Sequence, residues 1–212
     1  MVLPFLEPGS LRDALDERPL APREFQRIVI GISKGVSYLH SHQPPIVHGD
    51  LHPGNVLLDE SGSPFLCDFG LSRIRHEVTR THTMLSEGGR LRFLAPELSA
   101  GRSESFRTSP QSDIFALSMT FLNAWTGKRP FFEIDNELKA ASMMKKGQRP
   151  TRVFDQELAW PGPAFLDLLQ NMWRQEPSAR PPILDVLLNI ERLFEPDHND
   201  TEAPPAELPG DP

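Results

Sequence analysis

The sequence predicts an α+β fold that is mainly α-helical, with short β-hairpins, and three observations carry that reading. Phe25, Ile28, Val29, Ile32, Val36 and Leu39 recur at the i, i+3, i+4, i+7 spacing that places apolar side chains on one helix face. From Ile114 to Trp125 the chain is apolar nearly all round, as a helix at the centre of a domain must be. Extended pieces are brief by comparison: Ile46-Val47, Val56 to Leu58 and Phe65 to Cys67, the last two joined by a turn at Ser61-Gly62.

In chain order, Met1-Val2-Leu3 reads as a short strand entering a proline-bounded connection that ends at Pro8. Ser10 then caps a short helix through about Leu15, its hydroxyl satisfying an otherwise orphaned backbone N–H. Pro22 opens the long helix at its first turn, where a missing N–H costs little, and the helix ends near His42, before Pro44-Pro45. Residues 73–92 are polar and charged with neither period; at about 20 residues the stretch exceeds an ordinary connection and marks a functional loop. Asp113 is the expected N-cap of the central helix and Gly127 its stop. Three further helices are expected at about 135–146, 164–173 and 182–194. The last carries Ile183, Val186, Leu187, Ile190, Leu193 and Phe194 on one side. Residues 195–212 read as an acidic, Pro-rich disordered tail.

A chain of 212 residues suits one domain with a real core, and 38% hydrophobic residues exclude a disordered composition. Of the net charge of −7, six negative charges fall in 195–212 with no Lys or Arg, which leaves the body near −1. No basic stripe for nucleic acid or anionic lipid is present, so neither is expected as a partner. Cys67 is the only cysteine, which rules out an intrachain disulfide and does not imply an oxidising compartment. No apolar run approaches the ~18 residues that cross a bilayer, and Met1 to Leu6 is too short for a signal peptide. A soluble, cytoplasmic protein is the expectation.

Chemistry concentrates in three strings: His48-Gly49-Asp50-Leu51-His52-Pro53-Gly54-Asn55, then Asp68-Phe69-Gly70, then Ala95-Pro96-Glu97. Phosphoryl transfer from ATP needs a carboxylate to orient the acceptor hydroxyl and oxygen ligands to hold magnesium on the phosphates. Asp50 is the candidate catalytic base, and Asn55 and Asp68 are the candidate magnesium ligands. A lone Asp in a loop is more often a cap or turn residue; the weight lies in three motifs agreeing in order and spacing.

On these motifs the chain resembles the large C-terminal lobe of eukaryotic protein kinases, nearest the tyrosine-kinase-like group and of Ser/Thr type, over about Val2 to Phe194. Further landmarks agree: Phe65-Leu66-Cys67-Asp68-Phe69-Gly70, Ser112-Asp113-Ile114-Phe115, Gly127-Lys128-Arg129-Pro130-Phe131, and Trp173 with Arg180-Pro181. The resemblance implies ATP and Mg2+ as cofactors and a protein substrate or protein partner. It makes residues 1–8 the last small-lobe strand and hinge, residues 9–194 the C-lobe, and Leu57 the floor of the adenine pocket. Leu57 has a plain core role as its alternative. His48 would pack under the loop, Asp113 would tie down the loop backbone, and Arg180 would pair with Glu97. His52 stands where Ser/Thr kinases carry the lysine that contacts the transferring phosphate; an imidazole, mostly neutral near pH 7, is a weaker electrostatic partner. A surface histidine is its alternative.

Departures from the family pattern temper the expected activity. No Gly-rich phosphate loop precedes the hinge, and Lys34, the only lysine before Asp50, lies on the long helix. The expectation is a chain without its N-terminal lobe, truncated, and inactive or weak as it stands. Gly49 replaces the Arg that receives an activation-loop phosphate, although Thr79, Thr81, Thr83 and Ser86 remain modifiable. Arg90 replaces a typical Thr or Ser, leaving the acceptor open between Ser/Thr and Tyr. Two alternatives compete: a catalytically inactive kinase-like module that binds a partner, and a small-molecule kinase of the aminoglycoside or choline type, whose loop the first string also resembles. Cys67 is either a small core residue or a thiol-reactive site beside the metal turn. The histidines form no metal spacing, since His40 and His42 face apart on a helix.

Overall fold

A computed structural model describes residues 9–69, 90–99, 108–150 and 160–195. The expected strand and hinge at 1–8, the segment 73–89 with its Thr and Ser sites, and the tail beyond 195 lie outside the described residues. Within them the order is α1 (Leu11–Glu17), α2 (Pro22–His40), β1 (Val56–Leu58), β2 (Pro64–Leu66), α3 (Pro110–Thr126), α4 (Glu137–Lys145), α5 (Pro163–Met172) and α6 (Ile183–Phe194). The mainly helical reading holds for these residues, and the two strands form one antiparallel hairpin.

Local chemistry sets most boundaries. Ser10 and Asp13 cap α1 reciprocally: the Asp13 N–H donates to the Ser10 hydroxyl at 3.3 Å, and the Ser10 N–H donates to the Asp13 carboxylate at 2.8 Å. Pro22 occupies the first position of α2, and Gly127, at φ 66°, takes the left-handed conformation that stops α3.

Three expectations need correction. Asp113 is not the N-cap of α3; Ser109 is, accepting the Ser112 N–H at 3.1 Å, because Pro110 starts the helix earlier. Ile46-Val47 pairs with no strand among the described residues; instead the Ile46 N–H donates to the Leu39 carbonyl at 3.0 Å and closes the end of α2. β2 begins at Pro64 and stops before Cys67, whose N–H leaves the ladder to reach the Asn55 carbonyl at 3.1 Å.

The core forms around α3, where every residue from Ser112 to Ala124 is buried. α2 and α5 pack against it, and α6 packs across α2 and α5. Phe25 joins these layers edge-on to Phe165 and Trp160, each at 5.4 Å between ring centres. Each fully buried Phe of this cluster contributes ~2–3 kcal/mol. The hairpin also packs on α2, close enough that a side chain at Gly31 would overlap the Pro64 ring. No helix among the described residues is long and apolar enough to cross a membrane.

Candidate active site

A buried carboxylate on α3 shapes the loop that follows α2. Asp113 is 1% exposed and accepts the backbone N–H groups of His48 and Gly49, each at 2.8 Å. The His40 Nε2, at the end of α2, lies 2.9 Å from the same carboxylate. Two helices and the loop backbone thus meet on one side chain, and its removal would strand a buried and a partly buried N–H donor. The His48 ring is fully buried beneath the loop and accepts the Asp50 N–H on Nδ1 at 3.3 Å. Burial pushes this imidazole below its ordinary value of 6.5, against the pull of the Asp113 charge, so it sits neutral under the loop.

The loop brings Asp50 and Asn55 into contact. The Asn55 Nδ2 donates to the Asp50 carbonyl at 2.8 Å and to the Asp50 carboxylate at 3.1 Å. With its amide N–H groups directed there, Asn55 keeps its carbonyl Oδ1 as an oxygen donor suited to a hard cation. His52 accepts the Gly54 N–H on Nδ1 at 3.0 Å, which opens the 3-10 turn Pro53–Asn55 and leaves the ring proton on Nε2, 3.9 Å from the Asp50 carboxylate. His52 is 7% exposed, which corrects the surface-histidine alternative.

Asp68 follows the hairpin with φ 58°, a left-handed conformation that Asp tolerates better than most residues. The Cys67 N–H donates to the Asn55 carbonyl at 3.1 Å, which joins the turn carrying Asp68 to the loop carrying Asn55. Two side-chain oxygen donors match magnesium, which keeps its other positions for phosphate and water. Phe69 turns an edge toward His48, 6.4 Å between ring centres. Leu57 lies at the middle of β1, paired with Phe65 and bridged to Ser10, so α1 and the hairpin meet there.

The Ala95-Pro96-Glu97 string is anchored from below. Arg180 donates to both Glu97 carboxylate oxygens, at 2.7 and 2.8 Å, and its guanidinium lies 5.1 Å over Phe115. Arg149 lies over the same ring at 5.3 Å; burial, aided by the Arg180 charge, lowers its pKa to about 10.

Two arginines acquire roles that spacing did not reveal. Arg92 is fully buried and donates to the carbonyls of Pro130, Phe131, Ile134 and Asp135, pinning the α3–α4 connection to the segment before Ala95. Its only sequence signal was a charge between Leu91 and Phe93. Arg90 ion-pairs with Asp50 itself, and burial lowers its pKa with the charge of Arg12 adding to the effect.

The protein kinase domain family model matches residues 1–189. The chain is 30% identical over 209 residues to a probable LRR receptor-like serine/threonine-protein kinase of Arabidopsis thaliana, covering 92% of this chain and 21% of that protein. It is 30% identical over 201 residues to receptor-interacting serine/threonine-protein kinase 4 of Mus musculus, covering 92% of this chain and 25% of that one. Ankyrin repeat and protein kinase domain-containing protein 1 of Homo sapiens is likewise 30% identical over 200 residues, with 92% and 25% covered. The chain therefore spans about a quarter or less of the length of these relatives. A family match running through all three motifs makes this chain a member of the protein kinase family.

Proposed function

We propose that the chain supplies the large-lobe part of a protein kinase active site, with Asp50 orienting the hydroxyl of a protein Ser or Thr for phosphoryl transfer from Mg-ATP. The observation that carries this reading is the positioning of Asp50: its backbone is held through His48 and Asp113, and its carboxylate by Asn55. Asn55 Oδ1 and the Asp68 carboxylate are the groups that would hold magnesium, which when bound neutralises charge on the phosphates. The Asp50 carboxylate accepts the acceptor hydroxyl's hydrogen bond, and the His52 Nε2–H faces the same space as a weak donor toward a phosphate oxygen. Leu57 would form the floor beneath adenine. Glu97 with Arg180, and Arg92, hold the segment over which an acceptor would lie.

The test is phosphate transfer to a Ser/Thr peptide mixture with Mg-ATP, alongside a thermal-shift measurement of Mg-ATP binding. Asp50→Asn should lower transfer by at least ~100-fold and leave nucleotide binding intact. Asp68→Asn should remove the magnesium-dependent part of the thermal shift. Transfer unchanged in Asp50→Asn would sink the catalytic assignment. The Arg90 contact with Asp50 favours one second reading, a kinase-like module that binds a partner without transferring phosphate. Magnesium-dependent nucleotide binding without transfer to any acidic, neutral or basic peptide would select it.

A further inference from the structure

The connection between α2 and the catalytic loop is closed on one atom. Residues 41–47 form neither helix nor strand. At their start the His40 Nε2 lies 2.9 Å from Oδ2 of Asp113, and at their end the His48 N–H donates to the same oxygen at 2.8 Å. The other carboxylate oxygen, Oδ1, accepts the Gly49 N–H at 2.8 Å. An ionised carboxylate only accepts, so the His40 ring carries a proton on Nε2 and donates it. The His40 and Asp113 side chains are 8% and 1% exposed, which keeps water from competing for this bond.

Gly49 is the point that the arrangement braces. It stands at φ 75° with no side chain to fix it, so its backbone freedom leaves the direction of Asp50, the next residue, loosely set. The brace has to come from a group that is itself held still. Asp113 lies in the first turn of α3 with its backbone in the core, yet a carboxylate on one bond to Cβ can still change rotamer.

His40 removes that freedom. It is the last residue of α2, a helix anchored by the buried Phe25, Ile28, Val29, Ile32, Val36 and Leu39. Its donor reaches the carboxylate from a fixed helix, whereas the other two donors belong to the loop being held. Without it, the remaining bonds tie the carboxylate only to the loop, and the two can shift together. A hydrogen bond to an ionised acceptor is also stronger than a neutral one.

We propose that His40 is a positioning residue for the phosphoryl-transfer loop: by donating to Asp113 Oδ2 it fixes the carboxylate that orients the backbone at His48 and Gly49, and so sets where Asp50 points. This rests on Asp50 as the acceptor-orienting carboxylate. His40 touches no reacting group and acts through Asp113.

The experiment is 1H–15N NMR with hydrogen exchange on the full 212-residue chain, without nucleotide. His40→Leu fills the space and removes the donor; His40→Gln restores an N–H near the place of the ring Nε2. In His40→Leu the His48 and Gly49 amides should exchange at least ~10-fold faster relative to the buried α3 amides of Leu117 and Phe121. The Asn55 side-chain amide, which donates to Asp50, should shift with them. His40→Gln should bring exchange back to within about threefold of the unsubstituted chain. A histidine that merely fills space predicts the reverse order, with Leu the milder change. If His40→Leu does not fold, His40→Gln against His40→Asn makes the same comparison, because the shorter amide falls at the place of Nδ1 instead. Combined with Asp113→Asn, which removes one acceptor oxygen, His40→Leu should add less than it does alone.

Unchanged exchange at His48 and Gly49 in His40→Leu, or His40→Gln as damaging as the variant without a donor, would overturn the proposal. An equal added effect in Asp113→Asn would overturn the route through that carboxylate, and an unmoved Asn55 amide would overturn its reach to Asp50. None of these signals needs phosphate transfer, so failure of the catalytic reading shows separately, as transfer unchanged in Asp50→Asn.

Discussion

Arg180 meets Glu97 with its side chain wholly buried, whereas Arg90 meets Asp50 at the edge of the catalytic loop with both side chains partly exposed. The first guanidinium also donates to the carbonyls of Gln111 and Arg174, at 2.9 Å each, and stacks over Phe115. The second shares its carboxylate with Asn55 and feels the repulsion of Arg12. Both pairs use the same two kinds of group. What differs is how far water reaches the guanidinium: Arg180 is wholly shielded, whereas Arg90 is partly exposed. A third pair, Arg18 just past the end of α1 with Glu24 in the first turn of α2, extends the series towards solvent.

Removing one partner from each pair should break the comparison or sharpen it. Glu97→Ala leaves the Arg180 charge buried and should destabilise the fold by ~3–5 kcal/mol in urea denaturation. Arg90→Ala should cost about 1 kcal/mol or less by the same measurement. Equal costs would show that burial does not separate the two pairs. The joint substitution of Glu97→Leu with Arg180→Met should cost less than Glu97→Ala alone, since no charge is then stranded.

A titration probes the loop beneath the weaker pair. His48 is buried beneath Asp50, and burial holds its folded pKa below the ordinary 6.5. The unfolded chain therefore binds this proton more readily. Its neutral burial costs nothing above pH 6.5, and stability falls as the pH drops below that value until the folded form titrates. Melting temperatures measured from pH 7.5 down to pH 5 should show this loss, and His48→Gln should flatten it.

The smallest effect belongs to the outermost pair. Two hydrogen bonds from Arg18, then the Ala21 N–H, lower Glu24 to about 2 from its ordinary 4.5. Its stabilisation is full above pH 4.5 and is lost as the pH falls towards 2. Solvent screens the pair, so Glu24→Gln should lower the melting temperature near neutral pH by at most about 2 °C, and by less in high salt.

Local order was legible because it depends on neighbours. The i, i+3, i+4 spacing placed α2, the apolar run placed α3, and Ser10 and Gly127 marked ends where the structure has them. The motifs singled out Asp50, His52 and Asn55, while the bonds of Asp50 with Asn55 and of His52 with Gly54 came from the folded loop. The same local logic misassigned Asp113, because a carboxylate at a helix start has an N-cap as its nearest use. Its actual partners, His48 and Gly49, lie 65 and 64 positions earlier, and only the family resemblance suggested them.

By itself, then, the sequence determined the helical core, the hairpin and the residue types of a phosphoryl-transfer loop. The tertiary structure decided which charges those residues face. In the sequence Arg92 was only the last residue of a polar, aperiodic stretch, yet four carbonyls of a connection about 40 residues away enclose it; Arg90, which stands in place of a Thr or Ser, reaches Asp50. The physical reason is that turns and helices arise from bonds a few residues long, which spacing records. The partner of a buried charge is chosen by which distant segments the packed core brings within about 3 Å of it, and no local pattern encodes that choice.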